Sequence, residues 1–127
     1  MYPNMERKTY FLDIDGTLLY HIGEFKYIRD YKALQALPGA RSKTCQWHCE
    51  GHLIIIVTAR PESLRNITVE QLDNAGVFYD QLMMGVGAGP RILVNDIAED
   101  YHTNENSVTK AIAYNVTRNQ DGIEDVD

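Results

Sequence analysis

The sequence predicts an α/β fold with a parallel sheet, and two features of the chain carry that prediction. Short runs of apolar and β-branched residues recur along the sequence, and segments with helical spacing lie between them. Continuous apolar runs of this length are typical of strands that are buried on both faces of a parallel sheet. We therefore expect a doubly wound, Rossmann-like sheet with helices on both faces.

Residues 9–14 and 53–57 are the clearest predicted strands, because nearly every side chain in them is apolar or β-branched. Residues 91–94 have the same composition, and residues 111–114 and 78–84 are weaker candidates. The connection between the 78–84 and 91–94 segments is shorter than the dozen or more residues that a parallel crossover normally takes. Either the 78–84 strand is very short, or the chain there continues in extended form.

Helical patterns fill the intervals, at residues 31–37, 40–50 and 61–75. Gly51 and Gly76 follow the second and the third of these segments, and glycine just past a helix end is a common stop signal. One stripe of the third helix is expected to face the sheet, because its members recur at i, i+3 and i+4. The stripe consists of Leu64, Ile67, Thr68, Gln71, Leu72 and Ala75.

The chain length of 127 residues accommodates one domain. We expect that domain to span residues 1–118. Residues 119–127 are acidic and nearly free of apolar anchors, so we expect them to form a polar, frayed tail.

Composition and charge exclude several classes of protein. No apolar run approaches the roughly 20 residues that a membrane span needs, so we expect no membrane partner. The N-terminus lacks the apolar core of a secretory signal, which predicts a cytoplasmic protein with reduced cysteines. A net charge of −6 argues against binding to nucleic acid or anionic lipid.

Polar side chains follow three of the predicted strands. Asp13 and Asp15 come after the first, Thr58 comes after the second, and Asp96 comes after the 91–94 segment. In open α/β sheets, ligands bind beyond the carboxyl ends of the strands. A turn or cap role explains any one of these aspartates but not the whole set.

The chemistry of these groups favours phosphoryl transfer. A carboxylate can attack phosphorus, and a second acid can protonate the leaving oxygen and then activate water. Bound Mg²⁺ would relieve the repulsion between Asp13 and Asp15, and Asp96 would supply a further oxygen ligand. The hydroxyl and the backbone N–H of Thr58 are positioned to hold a phosphoryl oxygen.

Three segments resemble motifs of the haloacid dehalogenase-like hydrolase superfamily. The first is Asp13-Ile14-Asp15-Gly16-Thr17, which resembles the DxDGT signature. The second motif is matched by Ile54-Ile55-Ile56-Val57-Thr58-Ala59-Arg60. The fourth, acidic motif in its DxxxD form is matched by Leu93-Val94-Asn95-Asp96 with Asp100 four residues later.

The resemblance implies a Mg²⁺-dependent phosphatase. Asp13 would be the nucleophile and a metal ligand, and Asp15 would be the general acid/base whose backbone carbonyl also binds the metal. Asp96 would be the second carboxylate ligand, and Asp100 would sit in the outer shell or complete the metal site. The expected phosphate-binding residues are Gly16, Thr17, Thr58, Ala59 and Arg60.

The third motif of the family is not matched. The family normally places a lysine, sometimes an arginine, before the fourth-motif strand to neutralise the nucleophile and the phosphate. This chain has no lysine between Lys43 and Lys110. Arg91 is therefore the expected catalytic cation, with Arg60 and Lys110 as reserves.

Neither residues 17–38 nor residues 59–90 are long enough to hold the cap domain that many members of the family carry. An open site of this kind needs a large substrate or a neighbouring subunit to exclude water. The acidic charge favours a small phosphorylated metabolite such as a sugar phosphate, bound in a homo-oligomer. Two alternatives stay open: the same chemistry on a polynucleotide end or a phosphoprotein, and a metal- and phosphate-binding module with weak catalysis.

Overall fold

A three-stranded parallel sheet forms the centre of the computed structural model, which describes residues 6–103 and 106–127. The strands are β1 (Thr9–Leu12), β2 (Leu53–Val57) and β3 (Gln81–Met83), in the order β1-β2-β3. Leu12 pairs with Ile56, so β1 and β2 end at nearly the same level. The protein is thus a mixed α/β fold, and the three strands lie within the segments that the sequence predicts as strands.

Two α-helices confirm the second and the third helical predictions. Helix α1 spans Ala40–Cys49, and helix α2 spans Arg65–Ala75 after a short 3₁₀ turn at Glu62–Leu64. Gly76 ends α2 in the left-handed conformation, and its N–H donates to carbonyls of the last helical turn.

The core lies on one face of the sheet. Ile54 and Ile56 are fully buried there together with Leu72 of α2, and the ring of Tyr10 stacks on Trp47 of α1 at 3.8 Å between centroids. The opposite face is less covered, since Phe11 is 56% exposed. A doubly wound arrangement with helices on both faces therefore stays a prediction.

The strand predicted at residues 91–94 is wrong. These residues form no strand, and Ile92 and Val94 are 86% and 88% exposed. Apolar and β-branched residues favour a strand where they can pack in a sheet, but a strand also needs a neighbouring strand to pair with. Residues 91–94 pair with none. As a result, Asp96 does not follow a strand of the parallel sheet.

The weak strand prediction at residues 111–114 is also wrong. An antiparallel pair forms after Asp96 instead, from β4 (Ile97–Glu99), which lies between Asp96 and Asp100, and β5 (Asn106–Thr109). Its side chains are exposed or half-buried, so no continuous apolar run announces it in the sequence.

The helix predicted at residues 31–37 is wrong as well. This segment runs beside the chain that follows β1: the Tyr20 N–H donates to the Gln35 carbonyl at 2.8 Å, and the Leu37 N–H donates to the Leu18 carbonyl at 2.9 Å. Pro38 disfavours helical backbone at the preceding residue. Residues 18–30, called the flap below, carry a 3₁₀ turn at Phe25–Asp30.

Residues 119–127 are packed rather than frayed. Ile123 and Val126 are 2% and 8% exposed and belong to the core, and the Ile123 N–H donates to the Pro38 carbonyl at 2.9 Å. Gly122 lies so close to that carbonyl that a Cβ would clash with it. The acidic composition conceals two apolar anchors three positions apart.

Within the described residues, no helix is both long and apolar enough to cross a membrane.

Candidate active site

The first motif forms a tight loop at the end of β1. The carbonyl of Ile14 accepts N–H bonds from Thr17, Leu18 and Leu19 at 2.9–3.1 Å, which curls the chain around it. Gly16 has a φ of +87°, and a Cβ there would lie 2.7 Å from Cγ of Arg118. Glycine is therefore required by both the backbone and the close approach of the C-terminal segment.

Asp13 is exposed at the carboxyl end of β1, and the Thr17 hydroxyl donates to its Oδ2 at 3.4 Å. Loss of hydration among the surrounding loop atoms raises the pKa of Asp13 above its ordinary value, and the charge of Asp15 raises it further. The N–H of Ile14, the guanidinium of Arg91 and the Thr17 hydroxyl oppose that rise. The carboxylate thus reaches solvent within a partly neutralising environment.

Asp15 lies in a different environment, because both of its carboxylate oxygens are bound by Arg60. Nε of Arg60 donates to Oδ2 at 3.0 Å, and Nη2 donates to Oδ1 at 2.8 Å. The Arg60 side chain is fully buried, and that of Asp15 is 12% exposed. This two-pronged geometry is the strongest form of arginine–carboxylate pair.

Two side chains of α2 hold the remaining face of the Arg60 guanidinium. Nη1 donates to the Thr68 hydroxyl at 3.0 Å and to Oε1 of Gln71 at 2.6 Å. The amide nitrogen of Gln71 donates in turn to the carbonyls of Ile28 and Tyr31 at 3.1 and 2.6 Å. A continuous chain of hydrogen bonds therefore joins Asp15 to the flap.

Thr58 is buried at the end of β2, beside the first motif. Its hydroxyl accepts the N–H of Arg60 at 3.1 Å, while its own N–H donates to the Met83 carbonyl at 3.0 Å. The sheet therefore occupies the N–H that the sequence predicts to hold a phosphoryl oxygen. The neighbouring Ala59 is half-buried at the same strand end.

Arg91 is close enough to Asp13 for its charge to lower the pKa of that carboxyl. Its Nη1 donates to the carbonyls of Gly87 and Gly89 at 2.6 and 2.5 Å, so its own loop holds the guanidinium. Of the two reserve cations, Arg60 is engaged with Asp15, and Lys110 pairs with Glu6 at 3.6 Å.

The structure does not gather the four predicted metal ligands. Asp96 is exposed and accepts from the amide of Asn95 at 3.1 Å, and Asp100 accepts the N–H of His102 at 2.8 Å. Across residues 6–103 and 106–127, no group of three or more Asp, Glu, His or Cys side chains is arranged to hold a metal ion. Asp13 and Asp15 are the two that share one loop.

The helical spacing of α2 predicts only that Thr68 and Gln71 pack against the sheet. These two polar residues interrupt an otherwise apolar helical stripe. Because a buried polar side chain needs a partner, the interruption indicates that each of them makes a hydrogen bond. A second missed contact is Asn119, whose N–H donates to the Gly16 carbonyl at 3.0 Å and whose side chain binds the backbone of His21. Asn119 has a φ of +60°, a conformation that asparagine adopts more readily than most residues.

The arrangement places two carboxylates in distinct environments at one strand end. Asp13 faces solvent and can approach an electrophile, whereas Asp15 is fixed by a buried cation. Neighbouring carboxylates held in different environments are typical of acid/base and nucleophile pairs.

The chain has a weak structural resemblance to a solved protein. No protein-family model and no curated protein matches the sequence. A crystal structure of a structural genomics target from Vibrio cholerae aligns with a TM-score of 0.49 and 22% sequence identity, covering 72% of this chain and 81% of that one. Similarity at this level carries no argument about function.

Proposed function

We propose that this protein is a phosphomonoesterase that works through an aspartyl-phosphate on Asp13. One observation supports the proposal most: at a single strand end, Asp13 is exposed while Asp15, two residues later, is held by buried Arg60. An ordinary turn or cap aspartate does not need a buried arginine whose guanidinium is held by two further side chains, Thr68 and Gln71.

The proposed reaction has two displacements at phosphorus. An Asp13 oxygen attacks phosphorus, the phosphorus–oxygen ester bond breaks, and Asp15 protonates the departing alcohol oxygen. Water then attacks the phosphorus of the acyl phosphate after Asp15 takes its proton, releasing inorganic phosphate and the Asp13 carboxylate. We assign the Thr58 hydroxyl and the Arg91 guanidinium to the phosphoryl oxygens.

Mg²⁺ is the proposed cofactor, and it rests on the sequence motif. Such an ion would neutralise phosphoryl charge and relieve the repulsion between Asp13 and Asp15. The proposed metal ligands are Asp13, the Asp15 carbonyl and Asp96, and Asp100 would sit in the outer shell or complete the metal site. The described residues do not assemble this set, so the roles given to Asp13, Asp15, Thr58 and Arg91 are argued without the ion, and removal of Mg²⁺ is tested separately.

We also propose that the chain is a doubly wound core of the haloacid dehalogenase type without a cap domain, and that it lies in the cytoplasm. The substrate is a small phosphorylated metabolite such as a sugar phosphate. A homo-oligomer is proposed to cover the open site. The exposed run Ile92, Leu93 and Val94 beside Arg91 supports that cover, because contiguous exposed apolar side chains often mark an interaction surface.

The test is a panel of phosphate monoesters assayed for phosphate release with Mg²⁺, with EDTA, and with EDTA followed by excess Mg²⁺. We expect hydrolysis of at least one ester, its loss in EDTA and its return with the ion. Asp13→Asn is the matched inactive control, because it keeps the size of the side chain. Full turnover by that variant would contradict the nucleophile.

A metal- and phosphate-binding module with weak catalysis is the second candidate. The specific observation in its favour is that Arg60 occupies both oxygens of Asp15, the group that must exchange protons. Phosphate or Mg²⁺ binding by calorimetry, without hydrolysis across the panel, would favour the binding module.

A further inference from the structure

Gln71 connects the flap to the pair formed by Asp15 and Arg60. Its side chain is fully buried, its Oε1 accepts from Arg60, and its Nε2 donates to the backbone of Ile28 and Tyr31. These bonds use the acceptor and both N–H donors of the amide at once. Gln71 therefore connects Arg60 to the backbone of the flap and its return segment through its own hydrogen bonds.

The position of Arg60 decides what Asp15 can do. The guanidinium is bonded to both Asp15 oxygens on one side and to Thr68 and Gln71 on the other. Each Asp15 oxygen accepts one guanidinium N–H and keeps a second lone pair, so Arg60 fixes the direction in which a proton on either oxygen points. A shift of Arg60 therefore changes the aim of Asp15 directly.

The flap supplies the fixed end of this arrangement. Ile28 is buried, Arg29 Nη2 donates to the Ser63 carbonyl at 2.9 Å, and Asn74 donates to the Lys32 carbonyl at 2.8 Å. The flap and the start of its return segment are thus tied to α2 and to the turn that precedes it. Gln71 is the member of this set that also contacts Arg60.

We propose that Gln71 is a positioning residue. It orients the Asp15 carboxyl group through Arg60 and couples that orientation to the position of the flap. This inference rests on the proposed phosphatase function. It assigns to Gln71 no contact with substrate. Its effect is confined to the step in which Asp15 protonates the leaving oxygen.

Two esters with different leaving groups test the proposal, because only one needs the proton. An alkyl phosphate expels a strongly basic alkoxide and depends on the acid, whereas 4-nitrophenyl phosphate expels a stable phenolate. The measured quantity is kcat/KM, which covers the steps through departure of the leaving group. The primary variant is Gln71→Met, which keeps the length of the side chain and removes its hydrogen bonds.

General-acid catalysis contributes roughly 10²–10⁴-fold, so we expect Gln71→Met to lower kcat/KM at least about tenfold for the alkyl ester and at most about twofold for the nitrophenyl ester. Glu70→Gln, at the preceding and exposed position of α2, is the control and should change neither value. In an Asp15→Ala background, Gln71→Met should have no further selective effect.

Equal losses for the two esters would overturn the positioning role, because they would mean that Gln71 only supports the fold. If circular dichroism shows that Gln71→Met is unfolded, Thr68→Val removes the other acceptor of the same Nη1 and should give the same selectivity, about threefold in size. A wild-type protein that hydrolyses neither ester overturns the phosphatase function itself, an outcome distinct from equal losses.

Discussion

The pKa of Asp13 links its chemistry to folding stability. Partial desolvation raises that pKa in the folded state above the ordinary value of 3.8, so the ionised form is unfavourable in the folded protein. Protonation of Asp13 in the folded state stabilises the protein. That stabilisation is fully present below the pKa of Asp13 in the unfolded state and is lost as the pH rises through its raised pKa in the folded state. Wild-type protein at neutral pH therefore carries an electrostatic cost at this position.

Asp13→Asn removes that cost together with the nucleophile. We expect turnover to fall by at least about a thousandfold, as for removal of other nucleophiles. In the same variant, the melting temperature at neutral pH should exceed that of the wild type. The difference should shrink as the pH falls toward the ordinary carboxylate value. Asp125→Asn, an exposed change of the same kind, is the control, and a variant less stable than wild type at neutral pH would contradict the linkage.

The buried ion pair between Arg60 and Asp15 should contribute to folding stability. Arg60→Met would leave the carboxylate of Asp15 nearly buried without its cation, and breaking a buried pair from one side costs about 3–5 kcal/mol. We expect a loss of that size in the free energy of unfolding, measured by urea denaturation. Adding Asp15→Asn should recover part of the loss, because the unpaired charge is then gone. A single variant within about 0.5 kcal/mol of wild type would show that water replaces the guanidinium.

The site residues that the sequence could predict are those next to a strand end. Asp13, Asp15, Thr58 and Arg60 directly follow two strands, and parallel neighbours end at the same edge, so linear order predicts their proximity. Gln71 contacts Arg60 from a separate helix, and that contact depends on how α2 rotates against the sheet. Helical spacing gives the buried stripe but not the polar partner inside it.

At the scale of elements, β1, β2, α1 and α2 were predictable because their local signals agree with their tertiary environment. Buried strands carry continuous apolar runs, and a glycine follows the end of each helix, Gly51 after α1 and Gly76 after α2. Residues 91–94 carry the same strand signal, but no partner edge pairs with them. Strand formation requires a neighbour, so composition alone overstates the sheet.

The C-terminal segment is an element that its acidic composition conceals. We expect Ile123→Ala to reduce the free energy of unfolding by about 2–5 kcal/mol, because it removes a buried side chain from the core. Glu124→Ala, the next residue and exposed, should stay within about 0.5 kcal/mol of wild type. Equal, small changes for the two variants would show that residues 119–127 contribute nothing to stability.

The whole molecule presents an open site on an acidic surface. With a net charge of −6, it repels other polyanions over distances set by the salt concentration, about 10 Å at 0.1 M. A phosphate on a small sugar brings few charges to that surface. A phosphate at the end of an oligonucleotide brings many, and the flap offers no basic groove in compensation, since Lys26 already pairs with Glu24 at 3.0 Å.

Charge therefore separates the small-substrate proposal from its polynucleotide rival. We expect kcat/KM at low salt to be lower for a 3′-phosphorylated oligonucleotide than for a nucleoside 3′-phosphate, which presents the same reacting group with little additional charge. Raising the salt concentration should narrow the gap, because screening weakens repulsion between the oligonucleotide and the protein, while kcat/KM for a sugar phosphate should change little. Faster turnover of the oligonucleotide at low salt, declining as salt is added, would instead mean that a local cation such as Arg91 attracts the polyanion despite the overall charge.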